Sequence, residues 1–95
     1  MKRVLAVCVM MIASACAGAP VQEMSDARQA VRAAQAAGAE ERAPAELAEA
    51  RSLIAEAQEY LQRHEYGEAK DTAVEARRKA IRALDISREA AAAER

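Results

Sequence analysis

Residues 44–61 read PAELAEARSLIAEAQEYL, and this segment carries the strongest structural signal in the chain. Its apolar positions alternate three and four residues apart, which is the spacing of one face of an α-helix: Leu47, Ala50, Ile54, Ala57 and Leu61. Pro44 suits the first helical position because its missing N–H would be unpaired there anyway. The pattern predicts a helix over residues 44–63, and we expect this helix to form the centre of the core.

Weaker helical patterns lie on both sides of this segment. Ser25 is a good N-cap and Gly38 a good terminator, so they predict a first helix over residues 25–37. Its expected inner face consists of Ala27, Ala30, Ala34 and Ala37, with Val31 beside it. A third helix is predicted over residues 67–92, on a seam of Ala69, Ala73, Ala76, Ala80 and Ala83. The links are short, so residues 25–95 are expected to form an all-α, antiparallel three-helix bundle.

The predicted core is lean. Of the 95 residues 27 are alanine, and the chain has neither Phe nor Trp. After Cys16 only thirteen large apolar side chains remain. Alanine has the best helix propensity but buries little surface, so strong helices and marginal tertiary packing are expected. Such a body is expected to gain stability from a protein partner or from a second copy of itself.

The first fifteen residues have the composition of a secretory signal peptide. Lys2 and Arg3 precede an apolar run from Val4 to Ile12, and small residues follow. The run is too short to span a bilayer, which takes about 20 apolar residues. We therefore predict a signal peptide over residues 1–15 and a tether over residues 16–24.

Four residues at the end of this segment, Ala13-Ser14-Ala15-Cys16, resemble the lipobox of bacterial lipoproteins. The resemblance implies that Cys16 becomes the first mature residue, carries a diacylglycerol thioether and fatty acyl chains such as palmitate, and binds membrane lipid. Ala17 stands where an aspartate would resemble an inner-membrane retention signal, so the implied location is the periplasmic face of the bacterial outer membrane. The alternative is an ordinary signal peptide cut near Ala15 or Ala19.

The helical body resembles a family of alanine-rich envelope proteins, domain of unknown function 4398. The resemblance covers residues 21–83 and rests on four features: Asp26-Ala27-Arg28, Ala37-Gly38-Ala39, residues 43–47, and Tyr66 with Ala69. It implies a short periplasmic lipoprotein of helical fold with no established activity.

The second and third predicted helices also resemble one tetratricopeptide unit. Small or aromatic residues fall at the matching offsets of that motif: Ala57, Tyr60, Ala69 and Ala76. Leu53, Glu56 and Ala73 depart from it. One unit cannot stack into a solenoid, so the resemblance implies only a tetratricopeptide-like helical hairpin.

One cationic cluster is a candidate interaction surface, namely Arg77, Arg78, Lys79 and Arg82. It is a candidate for contact with lipopolysaccharide phosphates or peptidoglycan carboxylates. The alternative, which we favour, is a solvated face balanced by Glu75 and Asp85, with Glu75 paired to Lys79 four residues later.

Chemistry beyond binding is not indicated by the sequence. His64 is the only histidine, and no nucleophile–base set or phosphate-binding loop can be assembled around it. We therefore predict no enzyme, no cofactor and no metal. Without residues 1–15 the chain has twelve basic and fifteen acidic side chains, a formal charge of −3, and it lacks the net basic face that nucleic acid requires.

The predicted function is a non-catalytic, lipid-anchored periplasmic module that acts in protein interaction or envelope structure. One alternative is a coiled-coil spacer similar to the murein lipoprotein. Gly38, Pro44 and Gly67 argue against its unbroken helix, and Arg95 stands where that protein has a terminal lysine. Another alternative is an accessory subunit of an envelope assembly or secretion complex.

Overall fold

The computed structural model describes residues 18–95, and within them the chain forms four helices and no strand. The helices are α1 (Val21–Ala36), α2 (Ala39–Arg42), α3 (Pro44–Gln62) and α4 (Tyr66–Ala93). Three long helices and the single turn α2 therefore make up an all-α bundle, as the apolar spacing predicts. The predicted signal peptide and Cys16 lie outside the described residues.

The three long helices run up, down and up. Met24 near the start of α1 packs in one cluster with Ala57 and Ala73. Further along α1, Val31 packs in a second cluster that contains Leu47 and Ala80. From the first cluster to the second, residue numbers rise along α1 and α4 and fall along α3. Helices α1 and α4 are therefore parallel, and α3 is antiparallel to both.

The chain reverses twice between these helices. The first reversal is at residues 37–43, where Gly38 has a φ of +86°. The second is at residues 63–65, where His64 has a φ of +61°. Residues 18–95 therefore do not form the continuous helix that a murein-lipoprotein-like spacer requires.

Helix α4, not α3, is the centre of the bundle. It packs extensively against both α3 and α1, whereas α1 and α3 contact each other over a much smaller area. Its buried positions are fully inaccessible and keep a strict four-three spacing: Ala69, Ala73, Ala76, Ala80, Ala83 and Ser87. Small side chains let two helices approach α4 at the short end of the usual range of about 8–10 Å. Our expectation that residues 44–63 form the centre was wrong because it ranked helices by side-chain size.

Helix α1 begins four residues earlier than predicted, so the last four of the nine residues in the predicted tether over residues 16–24 are helical. Ser25 lies inside the helix, and the Met24 N–H donates to the Pro20 carbonyl at 3.1 Å. Met24 is only 3% exposed. Burying a Met side chain is worth about 1.5–3 kcal/mol, against roughly 1 kcal/mol for a serine cap, so burial decides the boundary.

The earlier start also changes the inner face of α1. The buried residues are Met24, Ala27, Val31 and Ala34. Val31 is thus a core residue, while Ala30 is half-buried and Ala37 is the C-cap. The prediction from alanine spacing alone placed this face a fraction of a turn away from its true position.

The core is as lean as the composition predicts. Eleven of the fourteen buried apolar residues in the described chain are alanine, and the other three are Met24, Val31 and Leu47. Leu47 is the largest side chain that is fully buried. Each buried methylene contributes about 0.8 kcal/mol, so Leu47 contributes more to tertiary stability than any single buried alanine.

Candidate interaction surfaces

The bundle has two different ends, a closed end and an open end. The closed end consists of residues 37–47 with residues 87–95, where α2 packs against the last turns of α4. The open end consists of residues 18–24 with residues 61–70, and only the three-residue link 63–65 joins helices there. Cys16, the predicted lipidation site, lies outside the described residues, but Gly18 belongs to the open end.

At the open end, apolar side chains reach solvent. Val21 is 73% exposed and Tyr66 is 38% exposed. Both line one groove together with Gly18 and Lys70. On the other side of Val21, a second groove is lined by Met24, Leu61, Arg28 and other residues. This end therefore combines exposed apolar surface with charged side chains of both signs.

The same end carries the only histidine. The rings of His64 and Tyr66 lie 5.8 Å apart and are tilted by 55°, and both residues are exposed. In residues 18–95, the histidine and acidic side chains form no cluster able to hold a metal ion. His64 thus has the environment of an exposed link residue.

At the closed end, polar side chains join the helices. Glu40 Oε1 accepts hydrogen bonds from Arg51 Nη2 at 3.1 Å and from Gln35 Nε2 at 3.5 Å. These bonds, with the charge of Arg51, lower the pKa of the Glu40 carboxyl below its ordinary value of 4.5. Glu40 therefore links α2 to both α3 and α1.

A second ion pair fastens α2 to the end of α4. Arg42 Nη2 lies 2.8 Å from Glu94 Oε2. The Arg42 side chain passes over Gly38, where an added Cβ would lie 3.4 Å from Arg42 Nε. Gly38 therefore serves both the left-handed turn and the path of this arginine.

The predicted cationic cluster is only partly assembled. Arg78, Lys79 and Arg82 line one open groove on the outer face of α4. Glu75 and Asp85 line the same groove, so two carboxylates stand among three cations.

The other contacts of the cluster lead away from a common site. Lys79 Nζ lies 3.1 Å from Glu49 Oε2 on α3, and this pair replaces the predicted one with Glu75. Arg77 lies in a different groove, between α4 and α1, with Asp26. Arg77 therefore lies outside the groove that Arg78, Lys79 and Arg82 share.

Sequence patterns did not indicate the open end as a surface. Val21 falls within the predicted tether, and Tyr66 lies just before the predicted start of the third helix. One signal could have located it, namely the continuation of the Ala27, Val31, Ala34 spacing back to Met24. That continuation extends α1 toward Pro20 and places Val21 on the first turn, beside the start of α4.

The described helices are not membrane spans, since none of those in residues 18–95 is long and apolar enough to cross a bilayer. Comparison with curated proteins finds no match to the chain, and comparison with solved structures finds none either. A family model described as "Domain of unknown function (DUF4398)" matches residues 22–95. The match covers all three long helices apart from the first residue of α1. The chain therefore belongs to the DUF4398 family.

Proposed function

We propose that this protein is a lipid-anchored helical module on the periplasmic face of the bacterial outer membrane. It acts through protein interaction or as part of the envelope structure, without catalysis. The observation that carries the proposal is the position of the lipobox-like residues Ala13 to Cys16, which end five residues before α1 begins at Val21. An acylated cysteine at that position would hold the open end at the membrane and leave the closed end free for a partner.

The lean core supports an interaction role. Alanine methyls fill most of the interior, so the described bundle buries little apolar surface for its length. A protein partner or a second copy that covers further apolar surface would raise its stability by mass action. If the module associates with itself, its Tm rises with protein concentration, whereas a Tm independent of concentration means that the isolated module is a self-sufficient monomer.

The groove on α4 gives weaker support for contact with lipopolysaccharide or peptidoglycan. Its cations share it with Glu75 and Asp85, and Lys79 is already paired with Glu49. Exposed pairs of this kind contribute about 0–1 kcal/mol and are screened by salt. The proposal therefore treats this face as solvated surface.

The anchor is tested with two cysteine variants expressed in a Gram-negative host. Cys16→Ser removes the sulfur that would carry the lipid, so incorporation of labelled palmitate and retention in the outer-membrane fraction should both be lost. Cys8→Ser is the matched control, because Cys8 lies within the predicted signal peptide. It should keep both properties. Palmitate labelling of the Cys16→Ser protein would show the proposed anchor to be wrong.

A further inference from the structure

We infer that the open end of the bundle docks on the lipid surface, with Val21 and Tyr66 in the headgroup layer and the helices standing away from the membrane. The inference rests on the proposed anchor at Cys16. It adds an orientation and a contact surface to that proposal.

Only a short length of chain separates the proposed anchor from the open end. An extended chain spans at most about 3.6 Å per residue, so the Cα of Cys16 lies within about 7 Å of the Cα of Gly18. A bilayer is about 30 Å thick in its hydrocarbon and about 40–45 Å with its headgroups, which leaves roughly 5–8 Å for each headgroup layer. A lipid chain on Cys16 therefore brings Gly18 into or against that layer. Gly18 lines the groove that also contains Val21 and Tyr66.

The exposed apolar side chains are concentrated at the open end. Among residues 18–95, the exposed large apolar residues are Val21, Tyr66 and Val74. Two of the three are at the open end, and Val74 follows Tyr66 by two helical turns on α4. Tyrosine is enriched at membrane interfaces because its ring is apolar and its hydroxyl is polar. These are the side chains expected of a surface that meets lipid headgroups.

The open end carries charges of both signs. The two grooves beside Val21 contain three cations, Arg28, Arg32 and Lys70, and one carboxylate, Glu23. Lys70 Nζ is 4.0 Å from Glu23 Oε1, and its side chain is 60% exposed. Long cationic side chains extend from apolar surface toward phosphates. Of these cations only Lys70 belongs to the open end, which also contains Arg63, Glu65 and Glu68, so the orientation rests on the chain length and the exposed apolar side chains rather than on net charge.

An alternative orientation lays a long face of the bundle on the membrane. The outer face of α4 is lined by Glu75, Arg78, Arg82 and Asp85, and it presents charge rather than a broad apolar surface. A helix that lies in the interface needs a continuous apolar face to bury. The end-on orientation is therefore the one that the exposed side chains favour.

The orientation can be tested with a single fluorescent reporter, because the chain has no Trp. The acylated protein carrying Tyr66→Trp is purified and reconstituted into phosphatidylethanolamine–phosphatidylglycerol vesicles, with or without bromine on the acyl chains near the headgroup. The matched variant is Ala45→Trp, an exposed position on the first turn of α3 at the closed end. We expect bromine to quench emission from position 66 and membrane contact to shift that emission to shorter wavelength, while emission from position 45 is unchanged.

Other outcomes overturn the inference in distinguishable ways. Equal quenching at both positions means that the bundle lies flat. Absence of quenching at both positions, with acyl mass on Cys16 and flotation with vesicles retained, means that the open end stands away from lipid although the anchor is correct. Shielding at position 66 that depends on the protein-to-lipid ratio, but not on bromine, means that a second copy covers the open end. Loss of flotation together with absence of acyl mass means that the proposed function itself fails.

A second measurement does not depend on the quencher in the lipid. Val21→Asp places a charge where the inference puts the headgroup layer. Added to the Tyr66→Trp protein in vesicles, it should increase the accessibility of the introduced tryptophan to aqueous acrylamide. Ala45→Asp is the control and should leave that accessibility unchanged. Val21 is largely exposed, so its replacement does not disturb the core. Unchanged accessibility in the Val21→Asp protein would contradict docking by this end.

Discussion

The closed and open ends of this bundle differ in how far they cover their own apolar surface. At the closed end, α2 and its C-cap add buried Ala39 and Ala43, and the ion pairs of Arg42 and Arg51 fasten α2 to α4 and α3. At the open end, a three-residue link joins the helices, and Val21 and Tyr66 remain exposed. One end completes its own packing, whereas the other leaves apolar surface for something else to cover.

The buried core is also larger at the closed end than at the open end. The larger buried cluster contains Leu47, Val31 and six alanines near the closed end. The smaller one contains Met24, Ala57 and Ala73 near the open end. Stability should therefore be concentrated at the closed end, and the open end should exchange its amide hydrogens first.

The largest expected effect comes from Leu47→Ala. Leu47 is 1% exposed, and truncation of such a leucine costs about 2–5 kcal/mol. The matched change at the open end, Leu61→Ala, should cost only about 1–2 kcal/mol because Leu61 is half-buried. Urea denaturation of residues 17–95, followed by far-UV circular dichroism, measures both. Equal losses would show that the two ends do not differ in packing.

The second effect tests the alanine seam of α4. Ala80→Leu adds three carbons where no space is available, and overpacking of this kind costs about 1–3 kcal/mol. Arg78→Leu is the control, because Arg78 is exposed on the same helix. It should change the free energy of unfolding by less than about 0.5 kcal/mol. A stable Ala80→Leu protein would mean that α4 is not the close-packed centre.

The third effect compares the two reversals. Gly38→Ala places a side chain at a φ of +86° and against Arg42, and a left-handed residue costs about 1–2 kcal/mol. His64→Gly should act in the opposite direction and stabilise by up to about 1 kcal/mol, because the φ of His64 is already positive. The gain is limited because glycine also increases the entropy of the unfolded chain. Thermal melts of both variants report the sign, and a shared sign would contradict this account of the links.

Sequence patterns predicted the helices well where a local signal and burial agree. Pro44 and Gly38 occupy the helix-start and helix-end positions expected of them. Ser25 predicted the wrong start for α1 because a serine cap is a local signal. The burial of Met24, which sets the true start, depends on α3 and α4, which are distant in sequence. The central position of α4 was missed for the same reason, since side-chain size along one helix does not reveal how many neighbours that helix has.

The candidate site was harder to predict than the fold. The four-residue cationic cluster is nearly contiguous in sequence, but a helix turns by about 100° per residue and distributes Arg77, Arg78 and Lys79 around its circumference. The open end instead joins Val21 and Tyr66, which lie 45 positions apart. Only the parallel packing of α1 on α4 brings them together, and neither residue carries a local signal for it.

The smallest expected effect concerns the polar contacts of the closed end. The bonds from Arg51 and Gln35 lower the pKa of Glu40 in the folded state, so the folded state favours the ionised carboxylate. This contribution to stability is present above pH 4.5 and is lost as the pH falls through the lowered pKa. Glu40→Gln should therefore lower Tm slightly at neutral pH, and the difference from the wild type should vanish on acidification.

A double-mutant cycle isolates that contribution. Thermal melts of the Glu40→Gln, Arg51→Gln and doubly substituted proteins give the coupling between the two side chains. Both are largely exposed, so the coupling should be small and should weaken as salt is added. A coupling that survives both acid and high salt would mean that Glu40 stabilises α2 through its packing. The stability of the closed end would then come from side-chain packing and not from its ion pairs, and packing alone would distinguish it from the open end.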